Sequence, residues 1–324
     1  MTSELREFHD ELRAVARKLL ATRGGWKQLV DAGWVALEVP EALGGTGATF
    51  VETAIVLEEM GRAAATNGYL GTALAVGVLN ALYPNDSRDE LLQRIGAGAR
   101  AAVATGFTVS DGTVSGGAEF VPDAVGADVL LLVGGEDVVP VLAGASGLDV
   151  TAQPVLDGSR ALATVVADRA SVSTSWPLPN PAAIPDRAAI AVACDSLGVG
   201  EAMLAATVEY ACVREQFGRP IGSFQAVKHA CADMLVQLSV SRQLVNAAVQ
   251  ALADGSDPGL TVAMAKSHAC TTAVDVAGKA MQLHGGIGYT WESGLHVYLK
   301  RAMLNRSLYG SPASHRKRLS ARYG

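Results

Sequence analysis

The segment RAAIAVACDSLGVGEAMLAATVEYACVRE, residues 187–215, is a near-continuous apolar run dominated by alanine, valine, leucine and isoleucine. A helix this apolar around its circumference has to be buried on several sides, so other helices must surround it. They follow directly in the chain. FQAVKHACADMLVQLSVSRQLVNAAVQALADG reads as a second long helix closing on Gly255, a third runs from about Pro258 to His284, and a fourth covers roughly Ser293 to Leu308. Short connections between four such helices imply an antiparallel bundle, with Asp186 available to cap the first.

The rest of the chain has two other textures. From Glu4 to about Gly98 apolar residues recur at helical spacing, as in ELREFHDELRAVARKLL and FVETAIVLEEMGRAAA, broken by VPEALGGTGA at 39–48, where Pro40 and three glycines cannot continue a helix. From about Arg100 to Val172 short β-branched runs are punctuated by glycine and aspartate, the pattern of a small barrel or sandwich. Pro177, Pro179, Pro181 and Pro185 then read as an extended connector. The expected fold is α+β and mainly α: a helical domain over 1–98, a β-domain over 99–176 and a four-helix bundle over 177–324.

With 324 residues, 49% hydrophobic and 18% charged, the chain is globular and long enough for several domains. A net charge of −6 argues against nucleic acid as a partner, because phosphate binding needs a surplus of lysine and arginine on one face. Cys194, Cys212, Cys231 and Cys270 sit in apolar segments without CxxC spacing and read as reduced core residues. No apolar run reaches about 18 residues free of charge or glycine, so no membrane span is expected, and the N-terminus lacks a signal-peptide core. The expected compartment is the cytoplasm.

The sequence VREQFGRPIGSFQ, 213–225, falls at the turn between the first two bundle helices. Gly218, Pro220 and Gly222 answer the needs of a turn. Arg214, Arg219, Gln216 and Gln225 do not. Guanidinium forks and amides at an exposed corner suit an anionic, hydrogen-bonding ligand such as a diphosphate. HGGIGY, 284–289, is no dinucleotide fingerprint, since a helix and not a strand precedes it; Gly285 and Gly286 read first as a helix C-cap, which also lets a ligand approach the backbone. GGTG at 44–47 lacks the fingerprint spacing. No His, Cys, Asp or Glu set has metal-ligand spacing, and no GxSxG hydrolase motif is present.

VREQFGRPIGSFQAVKH and MQLHGGIGYTWE, with AGWVALEVPEALGGTGA and LEEMGR, resemble the acyl-CoA dehydrogenase family over nearly the whole chain. The resemblance implies FAD as cofactor and an acyl-CoA as substrate. It implies that Arg214 reaches the diphosphate of a neighbouring subunit's FAD, with Gln216, Phe217 and Gln225 beside it. Gln282, Gly285 and Gly286 would contact the adenosine end of the same cofactor.

Departures from the family pattern point the same way. The family's usual base, a glutamate before a Gly-Thr pair, corresponds to Tyr309, followed by Gly310 and Ser311. A phenol of pKa near ~10 is a poor base at neutral pH. The alternative base position, on the first bundle helix, is Ala188, and the arginine usually beside it is Ala189, with Arg187 nearby. ATGFTVSDGTVSGGAEFVPDA has neither of the family's middle-domain motifs, which implies that the chain's own FAD pocket is lost. This combination resembles the shorter subunit of actinobacterial steroid side-chain dehydrogenases. It implies an α2β2 assembly with a longer acyl-CoA dehydrogenase subunit, a steroid CoA thioester as substrate and an electron-transfer flavoprotein as electron acceptor. Two alternatives stand beside it. One is a self-sufficient enzyme using Asp195, Glu201 or Glu292 as base, the first two on an apolar helix where desolvation can raise a carboxylate; the other is a structural subunit that handles no flavin.

Overall fold

A computed structural model describes residues 3–22 and 24–321. In chain order the elements are α1 (Ser3–Ala21), α2 (Trp26–Asp31), α3 (Phe50–Arg62), α4 (Tyr69–Asn80), α5 (Asp86–Gly96), β1 (Ala101–Thr105), β2 (Phe107–Ser110), β3 (Thr113–Pro122), β4 (Val129–Gly134), β5 (Asp137–Leu142), β6 (Leu148–Gln153), β7 (Leu162–Ser171) and β8 (Trp176–Pro177). They continue with α6 (Ala183–Val213), β9 (Glu215–Gln216), β10 (Arg219–Pro220), α7 (Gln225–Ala253), α8 (Gly259–Leu283), α9 (Leu295–Ser307) and α10 (Pro312–Ser320). The chain forms two compact units: Met1–Ala21, Ala54–Ala65 and Ala189–Gly324 make one, Thr22–Thr53 and Thr66–Ala188 the other.

In the first unit α8 runs through the interior. It buries Ala263, Ala265, Ala269, Ala273, Ala277 and Ala280, small side chains that let neighbouring helices approach closely. Val199 of α6, Ala273 of α8 and Ala302 of α9 share one buried cluster, flanked by Tyr298. α7 ends before Gly255, whose left-handed φ of 68° terminates it as the sequence predicts.

In the second unit two four-stranded sheets, ordered β1-β4-β5-β8 and β2-β3-β7-β6, face one another. Leu130, Leu132 and Val139 of one sheet and Phe107, Val114 and Val165 of the other belong to a single core, so the β region is a sandwich. β1 pairs with β4 in parallel and every other ladder within the two sheets is antiparallel. α4 is tied to β1 by the Thr72 hydroxyl, which donates to the Ala101 carbonyl at 3.2 Å.

Several expectations are corrected. α6 begins at Ala183, so Asp186 lies inside its first turn, buried, instead of capping it. Of the four connector prolines, Pro177 is in β8 and Pro185 is in the first turn of α6, where a missing N–H costs nothing. α10 was absent from the sequence reading although Ser311, whose hydroxyl accepts from the Ser314 N–H at 3.2 Å, and Pro312 form an ordinary helix start. Cys212 is exposed and Cys231 half-buried; only Cys194 and Cys270 are core residues, and burial pushes the Cys194 thiol well above its ordinary value. α6 is long and apolar enough to cross a bilayer by length and composition, contrary to expectation, but its apolar window is mostly buried within the protein.

Candidate functional site

The C-terminal end of α6 carries the first motif. The Arg214 N–H still donates to the Tyr210 carbonyl at 2.9 Å, and the Ile221 N–H returns to the Arg214 carbonyl at 2.7 Å, closing residues 214–221 into a tight hairpin. β9 and β10 pair antiparallel, Gln216 opposite Arg219, which leaves Phe217 and Gly218 as the two corner residues. Both have positive φ, 53° and 75°, the signature of a type I′ turn. Glycine adopts that conformation without strain, whereas phenylalanine does so at a cost. Phe217 points outward, 92% exposed, edge-on to Phe224 with ring centroids 6.1 Å apart. Arg219 stacks on the other aromatic contact of this corner, its guanidinium 4.2 Å from the Phe224 ring centre.

α7 starts immediately after this hairpin. Its N-cap, Phe224, has no side-chain acceptor, and its first turn contains no acid. The positive end of a long helix therefore opens beside the backbone of Arg214 and Arg219, a combination that favours an anion. The Arg214 side chain makes no hydrogen bond or ion pair among the described residues. Gln216, which donates to the Glu215 carbonyl at 2.7 Å, and Gln225 are both exposed.

The second motif occupies the C-terminal end of α8. His284 is the C-cap and Gly285, at φ 62°, turns the chain out of the helix, as expected from the sequence. A side chain added at Gly285 or Gly286 would meet nothing within 4 Å, so both glycines present open backbone. Gly288 has a different job: a Cβ there would lie 2.3 Å from the Met281 carbonyl oxygen. Gln282 is exposed and accepts from Lys279 Nζ at 3.2 Å. The two motifs share one end of the bundle, because the Tyr210 ring stacks on His284 with centroids 4.4 Å apart. Cationic donors, a helix N-terminus and side-chain-free backbone together fit the diphosphate and adenosine portions of a flavin dinucleotide.

The two positions that the resemblance assigns to a catalytic base are Tyr309 and Ala188. Tyr309 is a left-handed turn residue at φ 55° between α9 and α10, and its carbonyl accepts from His315 Nε2 at 3.0 Å. Ala188 is buried. Sequence reasoning missed the Glu38 carboxylate that pairs with Arg187 beside Ala188. Arg187 Nη2 donates to Glu38 Oε1 at 2.5 Å, and the Thr53 hydroxyl donates to the same oxygen at 2.6 Å. Burial, with the Glu38 charge second, pushes the Tyr69 phenol above its ordinary value. The cavity among Trp34, Glu38, Thr53, Tyr69 and Ala73 measures about 10 Å³, room for one water and not for an acyl chain. Each partner in this cluster is sequence-distant, so no local pattern announced it.

None of the three alternative bases is poised. Asp195 is buried and receives Arg301 Nε at 2.9 Å, Arg301 Nη2 at 2.6 Å and Asn305 Nδ2 at 2.6 Å. Glu201 is clamped between Arg62 and Arg242, one guanidinium on each oxygen. Glu292 is on the surface, where its own backbone N–H and the Thr290 hydroxyl hold it below the usual carboxylate range, the opposite of what a base needs. Among the described residues no group of three or more His, Cys, Asp or Glu side chains could hold a metal ion.

Residues 186–324 match the family model for the acyl-CoA dehydrogenase C-terminal domain, and residues 1–99 match the N-terminal domain. The chain belongs to the acyl-CoA dehydrogenase family, FAD-dependent oxidoreductases. It is 37% identical over 304 residues to acyl-CoA dehydrogenase IpdE2 of Mycobacterium tuberculosis, covering 91% of this chain and 85% of that one. The IpdE2 of Mycolicibacterium smegmatis is 33% identical over 297 residues, at 91% and 86% coverage. Among solved structures, a variant of the Tcur3481–Tcur3483 steroid acyl-CoA dehydrogenase superposes with a TM-score of 0.88 at 27% identity, covering 98% of each chain. The ChsE4–ChsE5 complex of Mycobacterium tuberculosis superposes with a TM-score of 0.88 at 25% identity, covering 100% of this chain and 98% of that one.

Proposed function

We propose that this chain is one subunit of a heteromeric acyl-CoA dehydrogenase in which it completes the FAD site of a longer partner and leaves proton abstraction to that partner. The observation that carries the reading is an asymmetry. The cationic hairpin at Arg214 and the open glycines at 285 and 286 are built and exposed, while Tyr309 and Ala188 occupy the base positions and every alternative carboxylate is tied up. FAD, when bound, takes up the electrons removed from the α,β-bond of the thioester. This chain's residues would contribute Arg214, Gln216, Phe217 and Gln225 toward the diphosphate and Gln282, Gly285 and Gly286 toward the adenosine.

The likeness to a steroid enzyme of two unlike chains supports a steroid side-chain CoA thioester as substrate and an α2β2 assembly, and the family supports an electron-transfer flavoprotein as acceptor. The test is the flavin-to-protein ratio of the chain purified alone and with its partner. The reading expects a colourless chain alone, a yellow complex, and loss of flavin from an assembled Arg214→Ala complex. Full flavin loading and turnover by the chain alone would refute it. Unchanged flavin in an intact Arg214→Ala complex would assign a purely structural role.

A further inference from the structure

Cys212 and Cys231, expected in the core, instead lie at the foot of the α6–α7 hairpin, one exposed and one half-buried, both free thiols. The register of the two helices is fixed where Glu201 of α6 receives Arg242 of α7. Two helical turns on, Val208 of α6 and Leu235 of α7 line one groove, so the helices run antiparallel. One further turn in each direction is Cys212 on α6 and Cys231 on α7, and residues four apart share a helix face. The register therefore sets the two thiols opposite each other. Their nearness also registers electrostatically: burial, with the Cys212 charge second, pushes the Cys231 thiol above its ordinary value.

We propose that Cys212 and Cys231 form an oxidisable pair that hydrogen peroxide closes into a disulfide. Cys212 is the thiol that an oxidant in solvent reaches, and Cys231, held as the neutral thiol by burial, is the poorer first attacker. In the first step the Cys212 thiolate sulfur attacks one peroxide oxygen. The O–O bond breaks, Cys212 becomes a sulfenic acid, and the other oxygen leaves as hydroxide that takes up a proton to become water. In the second step Cys231 gives up its proton and its sulfur attacks the sulfenic sulfur; the S–O bond breaks and the oxygen leaves as a second water. Two thiols lose two electrons in total, and the peroxide gains them. The second thiol stops oxidation at a reversible stage, which a lone exposed thiol would pass on its way to the sulfinic acid. The bond ties the last turn of α6 to the second turn of α7 and closes a loop that contains Arg214 and Phe217.

The test treats the natively folded full chain with hydrogen peroxide, alkylates the remaining thiols after denaturation and maps the peptides by mass spectrometry. The expected product is a Cys212–Cys231 cross-linked peptide that dithiothreitol separates, with the buried Cys194 and Cys270 alkylated as free thiols. Cys231→Ser removes the second thiol, so Cys212 should then accumulate as a sulfenic acid that dimedone traps, and Cys212→Ser should leave Cys231 reduced. Serine differs from cysteine by one atom and neither position is in the core, so both variants fold. Cys212 carried to a sulfinic acid in the unsubstituted chain, with Cys231 still a free thiol, would overturn the proposal. So would both thiols surviving peroxide unchanged, or a cross-link that joins Cys212 of two copies in place of the internal one.

Discussion

Tyr210 lies flat against His284, ring planes inclined by 21° and centroids 4.4 Å apart, and its hydroxyl donates to the His284 carbonyl at 3.4 Å. His284 is fixed from its other side, where Nδ1 donates to the Ala280 carbonyl at 2.7 Å. Tyr210 is one turn before Arg214, and His284 directly precedes Gly285. The stack is therefore a rigid strut between the cationic hairpin and the open glycines, two stretches more than sixty residues apart in sequence.

Replacing Tyr210 by leucine keeps apolar area but removes the stack and the hydroxyl. The expected cost in stability is about 1 kcal/mol, the usual worth of an aromatic pair. On the proposed function the strut spaces two parts of one flavin-binding surface, so FAD affinity of the assembled complex should fall several-fold as well. Thermal denaturation and a flavin titration measure the two effects. A stability loss with unaltered flavin affinity would show that the spacing is set elsewhere.

Asp195 and Arg301 form the most buried ion pair in the first unit, each side chain 2% exposed. Arg301 also donates to the Ala65 carbonyl at 2.8 Å, and Asn305 completes the shell around the carboxylate. Arg301→Met strands a carboxylate in the core and should cost about 3–5 kcal/mol in urea unfolding. Combining it with Asp195→Leu removes the stranded charge and should recover much of that loss. A single-variant cost below about 1 kcal/mol would contradict this account of the core.

The order of helical, β and helical regions was legible because each has its own period, and α6 stood out by being apolar on every side. The corner at 214–225 stood out because its arginines and amides exceed what a plain turn requires, and Gly285 was legible as the residue that turns the chain out of α8. What stayed hidden is what depends on partners distant in sequence. Asp195 and Glu201 looked like desolvated carboxylates because Arg301, Arg62 and Arg242 are 41 to 139 residues away from them. Nothing local marks Glu38 either, because its partners Arg187 and Thr53 are 149 and 15 residues away.

Glu58 gives a pH dependence with a definite sign. Burial alone would raise its carboxyl, but hydrogen bonds and charge from Arg242 and Arg13 outweigh burial and hold it below its ordinary value of 4.5. Arg17 and Arg62, with Glu59 and Glu201, complete the network around it. A carboxylate lowered on folding contributes stability that is fully present above the unfolded value and is lost as pH falls through the lower folded value. Stability should therefore hold down to about pH 5 and decline below it. Glu58→Gln should flatten that acid limb in urea titrations between pH 6 and 3 (about the range of carboxylate titration). An acid limb of unchanged slope would remove Glu58 from the explanation.

The crossing of α3 and α6 makes the opposite of the usual glycine argument. A glycine inside an exposed helix normally weakens it by roughly 0.5–1 kcal/mol relative to alanine. At Gly198, however, a Cβ would stand 1.8 Å from the Glu58 carbonyl oxygen, and at Gly61 it would stand 1.9 Å from the Asp195 carbonyl oxygen. The two helices touch through backbone, so a methyl group must drive them apart. Gly198→Ala should cost about 1–3 kcal/mol from overpacking, more than the helix-propensity gain returns. Gly278, in α8, has nothing within 4 Å of its missing Cβ, so Gly278→Ala should stabilise the chain by about 0.5–1 kcal/mol. Melting temperatures moving in opposite directions for these two substitutions would establish that close approach, not helix propensity, fixes the glycine at 198; shifts of the same sign would refute it.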